Sequence, residues 1–168
     1  LIEREARQCK AVLVPEPGKD DQLVSGRHAF LRYKVHVHGR PAHAGVARGS
    51  GKSAVSVKAR IIEQIEALSD IESETTYRVG VVHGGTFVNV IPTECHAEVL
   101  CVAPSEPAVR QIRSNMAMLA PPDPEIRLHI EPGPTRPLFT AHEGTLEVVL
   151  IAVRVARVIG LTLCHGQF

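Results

Sequence analysis

The positions of apolar and polar residues predict a strand at the start of the central part of the chain. Residues 29–38 alternate, with one parity apolar and the other mainly polar, which is typical of a strand with one buried face. The apolar parity holds Leu31, Tyr33, Val35 and Val37, and the other holds Phe30, Arg32, Lys34, His36 and His38. Shorter apolar runs bounded by turn residues predict further strands at 76–85, 95–104 and 125–131.

Helical periodicity separates these strands. Residues 51–70 carry apolar side chains at steps of three and four, which predicts an amphipathic helix. Its expected apolar face is Val55, Ala59, Ile62, Ile65 and Leu68. A second helix is predicted from Ser105, a suitable N-cap, with Pro107 in its first turn. A third, strongly apolar helix is predicted at 143–160.

The order of these elements predicts an α+β fold. From 28 to 131 it is β-α-β-β-α-β, the ferredoxin-like arrangement. Segments 1–27 and 132–168 lie outside it, and we expect them to belong to a second domain into which the central one is inserted. Residues 11–15, AVLVP, are predicted to form a short buried strand of that second domain. Because the chain begins without Met and inside a helical pattern, we interpret it as an excerpt of a longer protein.

Composition and charge exclude several functional classes. The formal net charge is +1, aromatic residues make up 4%, and Trp is absent, which argues against nucleic-acid binding. Four scattered cysteines without a C-x-x-C pair support neither a disulfide framework nor a structural zinc knuckle. No apolar run approaches the length of a membrane span. A cytoplasmic location is the default expectation.

Three loop residues are candidates for chemistry. Glu16 follows the predicted strand 11–15, and carboxylates at strand ends in α/β proteins often bind ligands or metals. His43 lies among small residues in GRPAHAG and could donate a hydrogen bond to developing negative charge. Asn89, in GGTFVNVIP, could both donate to and accept from a peptide-like substrate. The alternatives are a solvated glutamate, a surface histidine and a turn-capping asparagine.

Two other patterns are weaker. His36 and His38 share one strand face, so a metal pair is geometrically possible, although half-exposed sheet residues are the simpler interpretation. The remaining histidines show no ligand spacing with one another. The GKS sequence at 51–53 does not complete a phosphate-binding loop, because five residues instead of four separate its glycines, Gly45 and Gly51.

Taken together, VLVPEPG, GRPAHAG and GGTFVNVIP, in this order, resemble the aminoacylase and glutamate-carboxypeptidase family of zinc exopeptidases. The resemblance implies that 28–131 is a ferredoxin-like lid and dimerisation domain. It also implies that 1–27 and 132–168 are segments of the α/β catalytic domain, which is only partly present in this chain. A homodimer formed through a helix and an edge strand of the lid is therefore expected.

The resemblance also implies roles for the three candidates. Glu16 corresponds to a zinc-binding carboxylate, and His43 to a lid histidine that reaches the active site of the partner subunit and steadies the oxyanion. Asn89 corresponds to a lid residue that helps hold the substrate. The implied reaction is hydrolysis of the amide bond of a small peptide or N-acyl amino acid, with two zinc ions activating a water molecule.

This sequence departs from the family pattern at two points. Leu100 and Val102 stand where the family usually has an Asp-x-Arg pair whose arginine clamps the carboxylate of the substrate, and Arg48 is a substitute only by proximity to His43. The other zinc ligands and the general base are missing, so we do not expect this chain alone to be active. The alternative is a non-catalytic relative that serves dimerisation or ligand binding.

Overall fold

The computed structural model describes residues 1–15, 22–45 and 49–167. In chain order its elements are α1 (Ile2–Ala6), β1 (Gln22–Gly26), β2 (Ala29–His38), α2 (Ala54–Glu66), β3 (Thr76–Gly84), β4 (Glu94–Ala103), α3 (Glu106–Met118), β5 (Arg127–Pro132), α4 (Glu143–Val158) and β6 (Cys164–Gln167). They fall into two compact units. The central unit is His28–Leu138, and the flanking unit combines Leu1–Arg27 with Phe139–Phe168.

The central unit contains a four-stranded sheet in the order β3-β4-β2-β5. All three strand pairs are antiparallel. With α2 and α3 as the connections, this is the ferredoxin-like βαββαβ topology, so the predicted fold class is confirmed. The unit continues beyond residue 131, because Gly133 donates to the carbonyl of Arg32 at 2.8 Å and Arg136 donates to that of Phe30 at 2.8 Å.

One face of this sheet forms the core and the other is open. The predicted alternation along β2 is confirmed: Leu31, Val35 and Val37 are at most 2% exposed, while Arg32 and Lys34 are exposed. The helices cover the buried face with apolar side chains that are at most 1% exposed. These are Ile61 and Ile65 of α2 and Ile112 and Met116 of α3.

The buried face of α2 differs from the predicted one. Val55 and Ala59 are exposed, and the buried residues are Ala54, Lys58, Ile61 and Ile65. Of the five predicted positions only Ile65 is fully buried, because the buried face of the helix includes Lys58 instead of Val55 and Ala59. Lys58 is only 1% exposed, and its ammonium donates to the carbonyl of Val35. The buried charge is therefore hydrogen-bonded.

The start of α3 agrees with the sequence pattern. Ser105 is extended at φ −150° and ψ 161°, and its hydroxyl accepts a hydrogen bond from the amide of Ala108 at 3.3 Å. Pro107 lies within the first turn, where a missing amide hydrogen is harmless. The predicted N-cap is confirmed.

The flanking unit contains a two-stranded parallel sheet of β1 and β6, which the sequence pattern did not indicate. The predicted strand at 11–15 is wrong: this segment has no regular secondary structure, and Leu13 is 76% exposed. A strand requires a neighbour for its backbone hydrogen bonds, and no described strand pairs with 11–15. Within the described ranges, no helix is long and apolar enough to span a membrane.

Candidate functional site

The loop that carries His43 is closed at its base by backbone hydrogen bonds. Gly39 donates to the carbonyl of Thr93 at 2.7 Å, and the backbones of Arg40 and Lys52 exchange two hydrogen bonds of 2.9 Å. A Cβ atom at Gly39 would lie 2.1 Å from the carbonyl oxygen of Lys52. Only glycine therefore allows the two ends of the loop to approach this closely.

Ion pairs also stabilise the two ends of this loop. Lys52 donates to the Asp123 carboxylate at 2.6 Å, and Arg40 lies 3.3 Å from that of Glu125. The hydrogen bond from Lys52 holds the pKa of Asp123 below its usual value, and the same bond raises the pKa of Lys52. Both pKa shifts favour the charged pair, which ties the loop to the segment before β5.

The His43 loop runs beside the loop that carries Asn89. Ile91 donates to the carbonyl of Ala42 at 2.9 Å, and Ala44 donates to that of Asn89 at 3.1 Å. His43 and Val90 form an antiparallel bridge. Two candidates that are 46 positions apart in sequence (89 − 43) are thus brought together on adjacent loops of the central unit.

The His43 ring is exposed and has a defined local contact. Its Nδ1 accepts a hydrogen bond from the amide of Gly45 at 3.2 Å. Because Nδ1 accepts, the neutral ring carries its proton on Nε2. The loop therefore presents an N–H donor, which is the group that oxyanion stabilisation requires.

Asn89 lies in a tight turn next to exposed apolar side chains. Val90 donates to the carbonyl of Phe87 at 3.3 Å, and the side chains of Phe87 and Val88 are 68% and 104% exposed. A cavity of about 270 Å³ lies beside this turn, lined in part by Phe87 and Ile91. The turn that carries Asn89 thus adjoins an apolar surface that could contact a ligand.

Two residues of the sequence analysis, Glu16 and Arg48, lie outside the described residues. Within the described part of the chain, no group of three or more His, Cys, Asp or Glu side chains is placed to hold a metal ion. The site that can be described therefore consists of polar and apolar contacts contributed by the two loops.

The sheet register identifies two arginines that the sequence pattern missed. Leu100 of β4 lies directly opposite Arg32 of β2 and Arg78 of β3. Directly opposed residues of antiparallel strands project to the same face, so both arginines flank the position where an Asp-x-Arg pair would begin. Only the strand register reveals this, because the three residues are far apart in sequence.

Comparison with known proteins agrees with this architecture. Residues 25–124 match the family model described as a peptidase dimerisation domain. A probable carboxypeptidase from Uncinocarpus reesii is 39% identical over 100 residues, which cover 52% of this chain and 22% of that protein. The matched segment thus spans about a fifth of that relative's length.

Solved structures share the fold. Aminopeptidase PepT from Bacillus cereus matches 91% of this chain and 41% of its own, with a TM-score of 0.68 and 24% identity. An amidase of the hydantoinase/carbamoylase family from Burkholderia vietnamiensis matches 87% of this chain and 36% of its own, with a TM-score of 0.68 and 15% identity. At these identities the structures establish the fold alone. The family match covers more than half of the sequence, and the chain therefore belongs to the peptidase dimerisation domain family.

Proposed function

We propose that this chain is part of a zinc-dependent exopeptidase or amidohydrolase that resembles the glutamate carboxypeptidases. Its substrate would be a small peptide or an N-acyl amino acid, cleaved at the amide bond. The observation that carries this proposal is the pairing of the His43 loop with the Asn89 loop, at Ala44 to Asn89 and Ile91 to Ala42. This pairing offers an imidazole donor and an amide side chain from two adjoining loops.

His43 would act on the oxyanion that forms as the amide bond is attacked. Its ring is exposed, and the Gly45 amide favours the tautomer with the proton on Nε2. A donor fixed before the reaction stabilises developing charge without reorganisation. In the proposed homodimer this donor serves the active site of the partner subunit, while Asn89 hydrogen-bonds the substrate.

The zinc part of the proposal involves residues that are not described. No cluster of three or more ligands in residues 1–15, 22–45 or 49–167 could hold the metal, so the ligands of the catalytic zinc ions in this proposal lie outside these ranges. In the proposal Glu16 is one ligand, and the others belong to parts of the protein beyond this sequence.

The proposal is tested in the full-length protein by replacing His43 with alanine. Removing one oxyanion donor is expected to lower kcat by about 10²–10³-fold, with little change in thermal stability, because the side chain is exposed. His129→Ala replaces an exposed histidine on β5 and is the matched control. Equal activity of the two variants would remove His43 from the mechanism.

A mixing experiment tests whether His43 acts across the dimer. The Glu16→Gln and His43→Ala variants are each expected to be inactive alone. In an equal mixture, half of the dimers are mixed, and each of these contains one intact site. About a quarter of the wild-type activity should therefore return. No recovery, despite exchange of subunits shown by native mass spectrometry, would mean that His43 acts within its own subunit or not at all.

The second candidate function is dimerisation or ligand binding without catalysis. The aliphatic residues Leu100 and Val102, at the positions of the expected Asp-x-Arg pair, favour this alternative. Zinc-dependent hydrolysis of N-acyl amino acids by the full-length protein would exclude it. In a catalytic protein, Arg32 and Arg78, which lie opposite Leu100, are candidate substitutes for the missing cation, and replacing both with Gln should raise KM for substrates with a free carboxylate.

A further inference from the structure

The open face of the four-stranded sheet carries a row of four histidines, one from each strand. The register places His36 opposite both His96 and His129, and His83 opposite His96. Neighbouring ring centroids are 5.0 Å apart for His83 and His96, 6.3 Å for His36 and His96, and 6.1 Å for His36 and His129. The sequence alone shows no ligand spacing among them, because the row exists only across strands.

The pair of His83 and His96 differs from the rest of the row. Its rings are the closest, with planes inclined at 35°, and both residues line the cavity beside the Asn89 turn. A borderline metal ion bound at about 2.0–2.1 Å to one nitrogen of each ring holds two ring centroids about 5 Å apart at a tetrahedral angle. The observed separation therefore already suits a shared ion.

The surroundings of this pair favour a cation. Glu94 precedes His96 by two residues on β4 and lines the same cavity, and Glu98 follows His96 by two residues on that strand face. The basic groups nearby have carboxylate neighbours: His38 Nδ1 lies 3.7 Å from Glu94, and Lys34 lies opposite Glu98 in the register. Acidic groups next to paired imidazoles add electrostatic attraction for a divalent ion.

We propose that His83 and His96 form a two-histidine binding site for a borderline divalent transition metal, Zn²⁺, Ni²⁺ or Cu²⁺, on the open face of the central unit. Imidazole nitrogen suits these ions, whereas Mg²⁺ and Ca²⁺ require oxygen ligands. Two protein ligands leave the remaining coordination positions to water, which agrees with the absence of any described group of three or more ligands.

The test uses the tag-free 168-residue chain with Cys9→Ser and Cys164→Ser, since both cysteines are exposed and could bind metal themselves. Zn²⁺ and Ni²⁺ are titrated by calorimetry at neutral pH, with Mg²⁺ as the negative control. Paramagnetic Cu²⁺ is added at a substoichiometric amount, and the broadening of backbone amide signals is mapped by NMR. We expect broadening centred on Gly84 and His96.

Substitution of the ligands provides the control for this assignment. His83→Gln and His96→Gln are each expected to weaken binding by at least about tenfold, the smallest loss usual for even an indirect partner of a metal ligand. His129→Gln, in the same row but outside the pair, should leave binding unchanged. All three histidines are exposed, so the thermal unfolding midpoint should not move.

Two results would overturn the site. One is an equal loss of metal affinity in His83→Gln and His129→Gln, which would mean that the metal ion is attracted to the whole row of histidines and not bound by one pair. The other is Cu²⁺ broadening that lies elsewhere, or no binding at all, in a chain that unfolds cooperatively. Activity of the full-length protein does not enter this test, so the metal site and the proposed hydrolase can fail independently.

Discussion

The amide of Ala44 donates a hydrogen bond to the carbonyl of Asn89 across 3.1 Å, which fixes the His43 loop against the Asn89 loop. The neighbouring contact from Ile91 to Ala42 continues this pairing on the other side of His43. Two backbone hydrogen bonds thus hold the backbone of His43 between them. Disturbing either loop should therefore affect the other.

The space between these loops depends on Gly51. A Cβ atom there would lie 2.8 Å from the Cβ of Ala42 and 2.4 Å from the Cδ1 of Ile91. Ile91 can rotate away, but Ala42 can move only with the backbone next to His43. Gly51→Ala should therefore destabilise the chain by about 1–2 kcal/mol, measured by urea unfolding, and lower kcat of the full-length protein.

Gly49 provides the matched control, because no atom lies within 4 Å of the position of its Cβ. Gly49→Ala should leave both stability and kcat close to those of the wild type. If the two alanine variants behave alike, the close approach at Gly51 does not position His43.

The buried Lys58 should make stability depend on pH. Burial lowers the pKa of its ammonium from 10.5 to about 8. Between these values the unfolded state binds more protons than the folded state, so the Lys58 contribution to stability rises with pH. A shift of this size corresponds to about 3 kcal/mol between pH 8 and 10.5.

The contribution is isolated by comparison with Lys58→Met, which keeps most of the buried aliphatic chain. The free energy of unfolding of the wild type, minus that of the variant, should increase as the pH is raised from 7 to 10.5. Lys34→Met, at an exposed lysine of β2, is the control. If the difference in the free energy of unfolding between wild type and variant rises equally with pH for Lys58→Met and Lys34→Met, the assignment to Lys58 is contradicted.

The buried thiol of Cys101 should act in the opposite direction. Burial raises the pKa of this thiol from 9.0 to about 12, so the folded state keeps its proton while the unfolded state loses it. Stability therefore falls as the pH rises above 9, by about 1–2 kcal/mol at pH 10.

Cys101→Ala should lower stability at pH 7, since it removes volume from the core, but it should flatten the alkaline decline. Urea unfolding at several pH values measures both effects. Cys9→Ala, at an exposed thiol, should leave the decline unchanged; if it flattens the decline as strongly, buried Cys101 is not its source.

The Lys52–Asp123 ion pair predicts a specific acid sensitivity. Its hydrogen bond lowers the pKa of Asp123, so the stabilisation is complete above the pKa of the unfolded carboxyl group. It is lost as the pH falls through the lower pKa of the folded state. Asp123→Asn should therefore lower the free energy of unfolding at pH 7. In acid, the free energies of unfolding of the variant and the wild type should become more similar.

Chemical unfolding between pH 2 and 7 measures how the difference in the free energy of unfolding between the wild type and Asp123→Asn changes with pH. Glu72→Gln, at an exposed carboxylate in the turn before β3, is the comparison. A constant difference between wild type and Asp123→Asn over the whole range would show that the ion pair contributes nothing.

Two local features of the central unit follow from the sequence alone. The alternation along β2 predicted its buried face, because successive side chains of a strand point to opposite sides. Ser105 was identified as an N-cap because its hydroxyl needs only the amide of Ala108, three residues away. The element order then led to the ferredoxin-like topology, since few arrangements connect these elements with short links.

Features that depend on distant partners are visible only in the folded chain. Lys58 is buried because the carbonyl of Val35 accepts its hydrogen bond, and the helical pattern by itself could not show this. The pairing of Ala44 with Asn89 and the meeting of His83 with His96 both follow from long-range contacts. Sequence spacing is informative within a helix or strand, whereas these distances are set by strand register and loop packing.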